Sequence, residues 1–130
     1  MCSSDLGLYE EHDPETHLIP LLVKNKKATI YGDTWATKDG TCIRDYVHVV
    51  DICKAHISAY EHISSNQGTN IACNIGTGTG YSVKEVVDKV NQIIHNGTME
   101  ITYEDKRNGD VPRLVANTEI AETEIGRAHV

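Results

Sequence analysis

The stretch Asp39-Gly40-Thr41-Cys42-Ile43-Arg44-Asp45-Tyr46-Val47-His48-Val49-Val50-Asp51 reads as a turn, a strand and the start of a helix. Successive side chains on a strand point to opposite faces. Arg44 and Asp45 therefore cannot both be ordinary surface charges if either face is buried. A buried arginine is rare unless it is paired or holds an anion, and its planar fork suits phosphate. An ion pair at a strand edge explains the same residues, and this stretch alone leaves both readings open.

Upstream, Asp13-Pro14-Glu15-Thr16 opens a helix that should run from near Thr16 to Asn25, with Pro20 tolerated only in its first turn or at a kink. Residues 28–31 form a short strand, and the polar, turn-rich residues 32–40 form a loop or hairpin. Strand character returns from Cys42 to about Val47, and Asp51 can cap the next helix. In that helix Ile52, Ala55, His56, Ala59, Tyr60 and Ile63 recur at helical spacing. Residues 71–75 are a short apolar run and read as a buried strand, joined by residues 76–80 to another helix. Ser82 with Glu85 makes a capping box. Val83, Val86, Val87, Val90, Ile93 and Ile94 give that helix an apolar stripe, and Asn96-Gly97 ends it. Met99, Ile101 and Tyr103 alternate with polar residues, as on a half-buried strand, and residues 114–116 form a last short strand. The pattern is mixed α/β with short elements in one domain.

Hydrophobic content of 39%, charged content of 24% and a net charge of -7 suit a globular chain and argue against a nucleic-acid footprint, which needs a basic face. No stretch reads as a membrane span or a signal peptide. Cys42, Cys53 and Cys73 form no Cys-x-x-Cys and read as reduced thiols of a cytoplasmic protein. His12, His17, His48, His56, His62 and His95 follow no metal-ligand spacing, so no metal site is expected. Gly76-x-Gly78-x-Gly80 follows a strand and opens a helix, but its third glycine comes one residue early for a dinucleotide fingerprint. No acidic residue stands about twenty positions on, so a tight strand-to-helix turn is the better reading. Residues 1–6 and 124–130 read as translations, in opposite sense, of one sequencing-adapter oligonucleotide. The expected plan is 1–6 adapter-derived, 7–123 a substrate-binding region and 124–130 adapter-derived, with Cys2 and His129 given no functional weight.

Gly40-Thr41-x-x-Arg44-Asp45-Tyr46-x-His48-Val49-x-Asp51, followed by Ala55-His56, resembles the carboxy-terminal part of the UDP-glucose 4-epimerases of the extended short-chain dehydrogenase/reductase family. Thr16-His17-Leu18-Ile19-Pro20, Ile30-Tyr31-Gly32, Asn74-Ile75-Gly76-Thr77-Gly78, Ser82-Val83-Lys84-Glu85-Val86 and Arg107-Asn108-Gly109-Asp110 agree in order. The resemblance implies the fold: an α/β, carboxy-terminal, substrate-binding portion of an extended Rossmann-type NAD-dependent epimerase. It implies interconversion of UDP-glucose and UDP-galactose by a cytoplasmic homodimer, with NAD bound by the amino-terminal half. Another UDP-sugar enzyme of the family (a decarboxylase, dehydratase or pentose epimerase) and a non-catalytic sugar-nucleotide-binding domain are the alternatives.

The resemblance also assigns residues. Arg44 and Arg107 would clamp the diphosphate, and Asp110 would meet a ribose hydroxyl or orient Arg107. Thr29, Ile30 and Tyr31 would lie against the uracil. His17 and Leu18 would meet the diphosphate and the sugar beside a helix amino terminus, and Leu114 would gate sugar size. The family's Tyr-x-x-x-Lys pair is absent: none of the six tyrosines has a lysine four residues later. No catalytic residue is assigned, and this chain alone is expected to be inactive.

Overall fold

A computed structural model describes residues 15–126. The expected adapter residues 1–6, the helix opening at Asp13-Pro14 and residues 127–130 lie outside them. The elements run α1 (Leu18–Lys24), β1 (Lys27–Tyr31), β2 (Ile43–Asp45), α2 (Val49–Ser65), β3 (Gly80–Ser82), α3 (Val83–Ile94), β4 (Glu100–Glu104), β5 (Arg113–Leu114) and α4 (Glu119–Glu124). The architecture is α/β, as expected. Where the sequence suggested one domain, the described residues divide into two compact units, one built from 15–44 and 81–113, the other from 45–80 and 114–126.

In the first unit β1 and β4 pair in parallel, Lys27 opposite Glu100 and Tyr31 opposite Glu104. Alternation along β1 sends Ala28 and Ile30 inward, where they meet Leu22 of α1, Val87 of α3 and Met99. Leu18, Val83, Val86, Val90 and Ile101 pack against that cluster. Pro20 stands in the first turn of α1, where its missing amide hydrogen has no intrahelical partner to lose. The capping box of α3 is present in both directions: Ser82 accepts from the Glu85 amide, and Glu85 accepts from the Ser82 amide at 2.8 Å. The Ser82 hydroxyl also donates to Asp39, whose other oxygen accepts from the amide and hydroxyl of fully buried Thr41. Asp39 thereby fastens the loop before β2 to the start of α3. The stripe on α3 ends early, since Ile93 and Ile94 are exposed at 62% and 49%.

In the second unit α2 starts at Val49, and its cap is His48, not Asp51. The His48 ring accepts from the Val50 amide at 3.1 Å, and Asp51 sits within the first turn, where its charge suits the helix dipole. Only part of the expected α2 stripe is covered: Ala55 is buried, while Tyr60 is 72% exposed. Residues 71–75 are not a strand. They alternate between half-buried and exposed as an extended chain would, but no ladder pairs with them among the described residues. The helix α4 was not foreseen. Six residues with three glutamates carry no apolar period long enough to read.

β2 lies between β3 and β5, and Ile43 accepts its place through its amide donating to the Pro112 carbonyl at 2.8 Å. Leu22→Ala should cost about 3 kcal/mol by removing a side chain from a closed cluster, whereas Ile93→Ala should cost under about 0.5 kcal/mol. Urea denaturation of the two variants, read at the change in midpoint, checks this.

Candidate functional site

The turn after β4 carries Arg107 and Asp110, and both reach residues of β1 and β2. Arg107 Nε donates to one carboxylate oxygen of Asp110 at 3.1 Å, and Arg44 Nη2 stands 3.5 Å from the other. Asp110 thus bridges two arginines drawn from segments far apart in sequence. The Arg107 guanidinium lies over the Tyr31 ring, 4.6 Å from its centre. Arg44 Nη1 donates to the carbonyls of Ile43 and Val111 at 2.9 and 2.8 Å, so part of its fork is spent on holding the turn. Both Arg44 and Asp110 are largely covered, whereas the Arg107 side chain is 61% exposed. Among the described residues its two Nη groups have no hydrogen-bond partner.

A cleft of about 600 Å³ opens at this place, lined by Tyr31, Asp33, Tyr103, Glu104, Asp105 and Arg107. Three carboxylates beside one arginine make most of it unfriendly to anions. Only the Arg107 edge attracts negative charge.

The other sequence-assigned residues are placed as follows. Thr29 and Tyr31 share the outer face of β1, and the Thr29 hydroxyl meets that of Thr102 at 3.3 Å. Ile30 is 1% exposed in the core, so its side chain cannot wall a base. His17 precedes α1 and pairs with Glu15 at 2.9 Å, and Leu18 packs on the core. Leu114 is 63% exposed and belongs to the second unit, while Arg107 belongs to the first. The sequence reading missed Trp35 and Lys106. Lys106 Nζ stands 4.4 Å from the centre of the Trp35 ring. A lone tryptophan in an otherwise polar loop, and a second cation beside Arg107, were the signals available.

The glycine-rich turn does not fit a dinucleotide. The Asp45 carboxylate fills it, accepting from the Thr77 amide and hydroxyl at 3.0 and 2.6 Å, the Gly78 amide at 3.1 Å and the Ala116 amide at 3.3 Å. A side chain at Gly76 would place its first carbon 2.5 Å from Asp45 Oδ2 and 2.7 Å from Ala116 Cβ. The amides that a pyrophosphate would need are already occupied, and α3 beyond them is capped by Ser82. NAD is therefore not held by this turn.

The class defined by these features is an α/β module in which two arginines share one carboxylate and the glycine-rich turn is filled by Asp45. Residues 1–76 match the NAD dependent epimerase/dehydratase family. The UDP-glucose 4-epimerase of Rhizobium meliloti is 38% identical over 122 residues, which is 90% of this chain and 37% of that protein. The UDP-glucose 4-epimerase of Brucella ovis, solved in complex with NAD, is 41% identical with a TM-score of 0.80, over 94% of this chain and 38% of that one. The Bifidobacterium longum UDP-glucose 4-epimerase, solved with NAD+ and UDP, is 35% identical with a TM-score of 0.75, over 85% of this chain and 33% of that one. The chain belongs to the NAD dependent epimerase/dehydratase family. It spans between 33% and 38% of the length of these relatives.

Burial pushes the Asp45 and Asp39 carboxyls up, but their hydrogen bonds outweigh it: from Thr77, Gly78 and Ala116 for Asp45, and from Ser82 and Thr41, with the charge of Lys84, for Asp39. Both end below the ordinary carboxylate range. Each depressed carboxyl contributes stability that is complete above its unfolded pKa of about 4 and is lost as pH falls through the lower folded value. Stability should therefore decline below about pH 4, and Asp45→Asn should lower stability at pH 7 while flattening that decline. Denaturant midpoints between pH 2 and 7 check both.

Proposed function

We propose that the full-length protein interconverts UDP-glucose and UDP-galactose with NAD, and that this segment supplies the grip on UDP. The observation that carries the reading is Asp110 holding Arg44 and Arg107 in one cluster, with the Arg107 Nη groups open to solvent. Two arginines offer a diphosphate several charge-assisted donors, and Asp110 keeps them from repelling each other before the ligand arrives. Tyr31 and Thr29 provide the outer strand face for the base, with Ile30 locking that strand to the core. His17 and Leu18 take the sugar-diphosphate junction, and Leu114 faces the sugar. The support for these last roles is the family resemblance.

The binding of NAD and the proton-transferring residues belong to the remainder of the protein. Epimerisation requires both hexose epimers to fit. A firm hold on the nucleotide with a loose hold on the sugar meets that need, because binding energy at a remote group positions the reacting one. The full-length protein is proposed to be a cytoplasmic homodimer. Among the described residues no helix is long and apolar enough to cross a membrane.

Arg107→Ala in the full-length protein should raise KM for UDP-galactose about tenfold or more, the worth of a charge-assisted hydrogen bond, with a smaller change in kcat. Steady-state kinetics of the conversion to UDP-glucose decide it. A protein that binds UDP through Arg107 yet leaves UDP-galactose unchanged would be a sibling UDP-sugar enzyme instead.

The family resemblance makes position 114 a gate on sugar size that is often tyrosine in the more selective enzymes; leucine is shorter and should leave room for an N-acetyl group on the second sugar carbon. The wild-type full-length protein should turn over UDP-N-acetylglucosamine. Leu114→Tyr should cut kcat/KM on it about tenfold or more with little effect on UDP-glucose. Parallel assays on the two sugars test this.

A further inference from the structure

Lys106 and Arg107 are consecutive, and each lies on a different aromatic ring, Arg107 on Tyr31 at the end of β1 and Lys106 on Trp35 in the loop that follows. Lys106 Nζ, above Trp35, also donates to the Thr34 carbonyl at 3.1 Å. Trp35 Nε1 in turn donates to the Tyr31 carbonyl at 3.4 Å, which ties the indole back to the residue whose ring carries Arg107. The Gly32 amide closes the arrangement by donating to the Glu104 carbonyl at 2.8 Å. Gly32 has no room for a side chain: a Cβ there would come within 2.5 Å of Trp35 Nε1 and 2.7 Å of Lys106 Cγ, and its φ of +86° is left-handed. All of these residues lie in the first unit.

Arg107 gains from this. Its side chain is long and largely exposed, and fixing such a side chain on a ligand costs conformational entropy. A neighbour pinned at residue 106 reduces that cost by settling where the Arg107 backbone starts. Lys106 has no carboxylate partner among the described residues. Its ammonium is committed to the Trp35 face and the Thr34 carbonyl, which turns it toward the loop.

We propose that Trp35 and Lys106 are positioning residues, a cation–π latch that holds the Arg107 turn in its ligand-ready place. The proposal rests on the reading that Arg107 grips the UDP moiety, and it adds two residues that touch no ligand. Lys106→Met and Trp35→Ala in the full-length protein should each raise KM for UDP-galactose about fivefold while kcat stays within about twofold. Lys106→Arg and Trp35→Phe, which keep a cation over a ring, should bring KM back to within about twofold of wild type.

In an Arg107→Ala background Lys106→Met should add almost nothing, because a residue acting only through Arg107 has nothing left to position. Full multiplication of the two effects would show Lys106 touching the ligand itself and would overturn the proposal. So would unchanged KM in Lys106→Met when Arg107→Ala raises it. Should Arg107→Ala leave KM unmoved, the UDP-grip reading fails first and takes the latch with it. Trp35 is half-buried, so its alanine variant can lose the fold; Lys106 is exposed, and its variants decide the matter alone.

Discussion

Everything in this chain turns on the alternation of two adjacent charges on a three-residue strand. Arg44 and Asp45 point to opposite faces, and each collects the polar groups of a different unit. Arg44 meets Asp110 and the carbonyls of Ile43 and Val111. Asp45 receives four hydrogen bonds from Thr77, Gly78 and Ala116. A carboxylate has about four lone-pair positions, so Asp45 is saturated. That saturation explains why glycine stands at position 76 and why the turn after it cannot serve a second anion. One dipeptide therefore supplies an arginine to the candidate site and removes a false site from consideration.

Local rules were legible where they are self-contained. The capping box at Ser82 and Glu85 and the inward set Val83, Val86, Val87 and Val90 need only a few neighbouring residues, and both are present. The alternation expected on β4 holds only at Ile101, since Tyr103 is exposed. The failures share one physical cause, dependence on partners that a sequence does not name. A strand exists only if another pairs with it, so the apolar residues 71–75 became an extended segment without a ladder. The ends of the α2 and α3 stripes stay exposed because nothing among the described residues covers Tyr60, Ile93 or Ile94. Capping is a competition, and His48, one residue before the helix, took the place expected for Asp51.

The site was half legible. The family resemblance singled out Arg44, Arg107 and Asp110, and these three meet. Strand alternation overrides the grouping of Thr29, Ile30 and Tyr31, because consecutive residues on a strand cannot share a face. Trp35 and Lys106 left only weak signals, for a different reason. An aromatic ring in a polar loop and a lysine on a turn are each unremarkable, and only their contact across 4.4 Å gives them meaning.

The parallel pairing of β1 with β4 has a consequence for how the molecule is made. Ala28 and Thr102, hydrogen-bonded across that pair, are 74 positions apart. The loop between them must close before the contact returns any energy, and such long-range parallel pairing is slow to form. During synthesis at roughly 5–20 residues per second, β1 waits several seconds for its partner to leave the ribosome. Through that interval Ile30, Ala28 and the inner face of α1 lack the cover that Val87 and Met99 later supply.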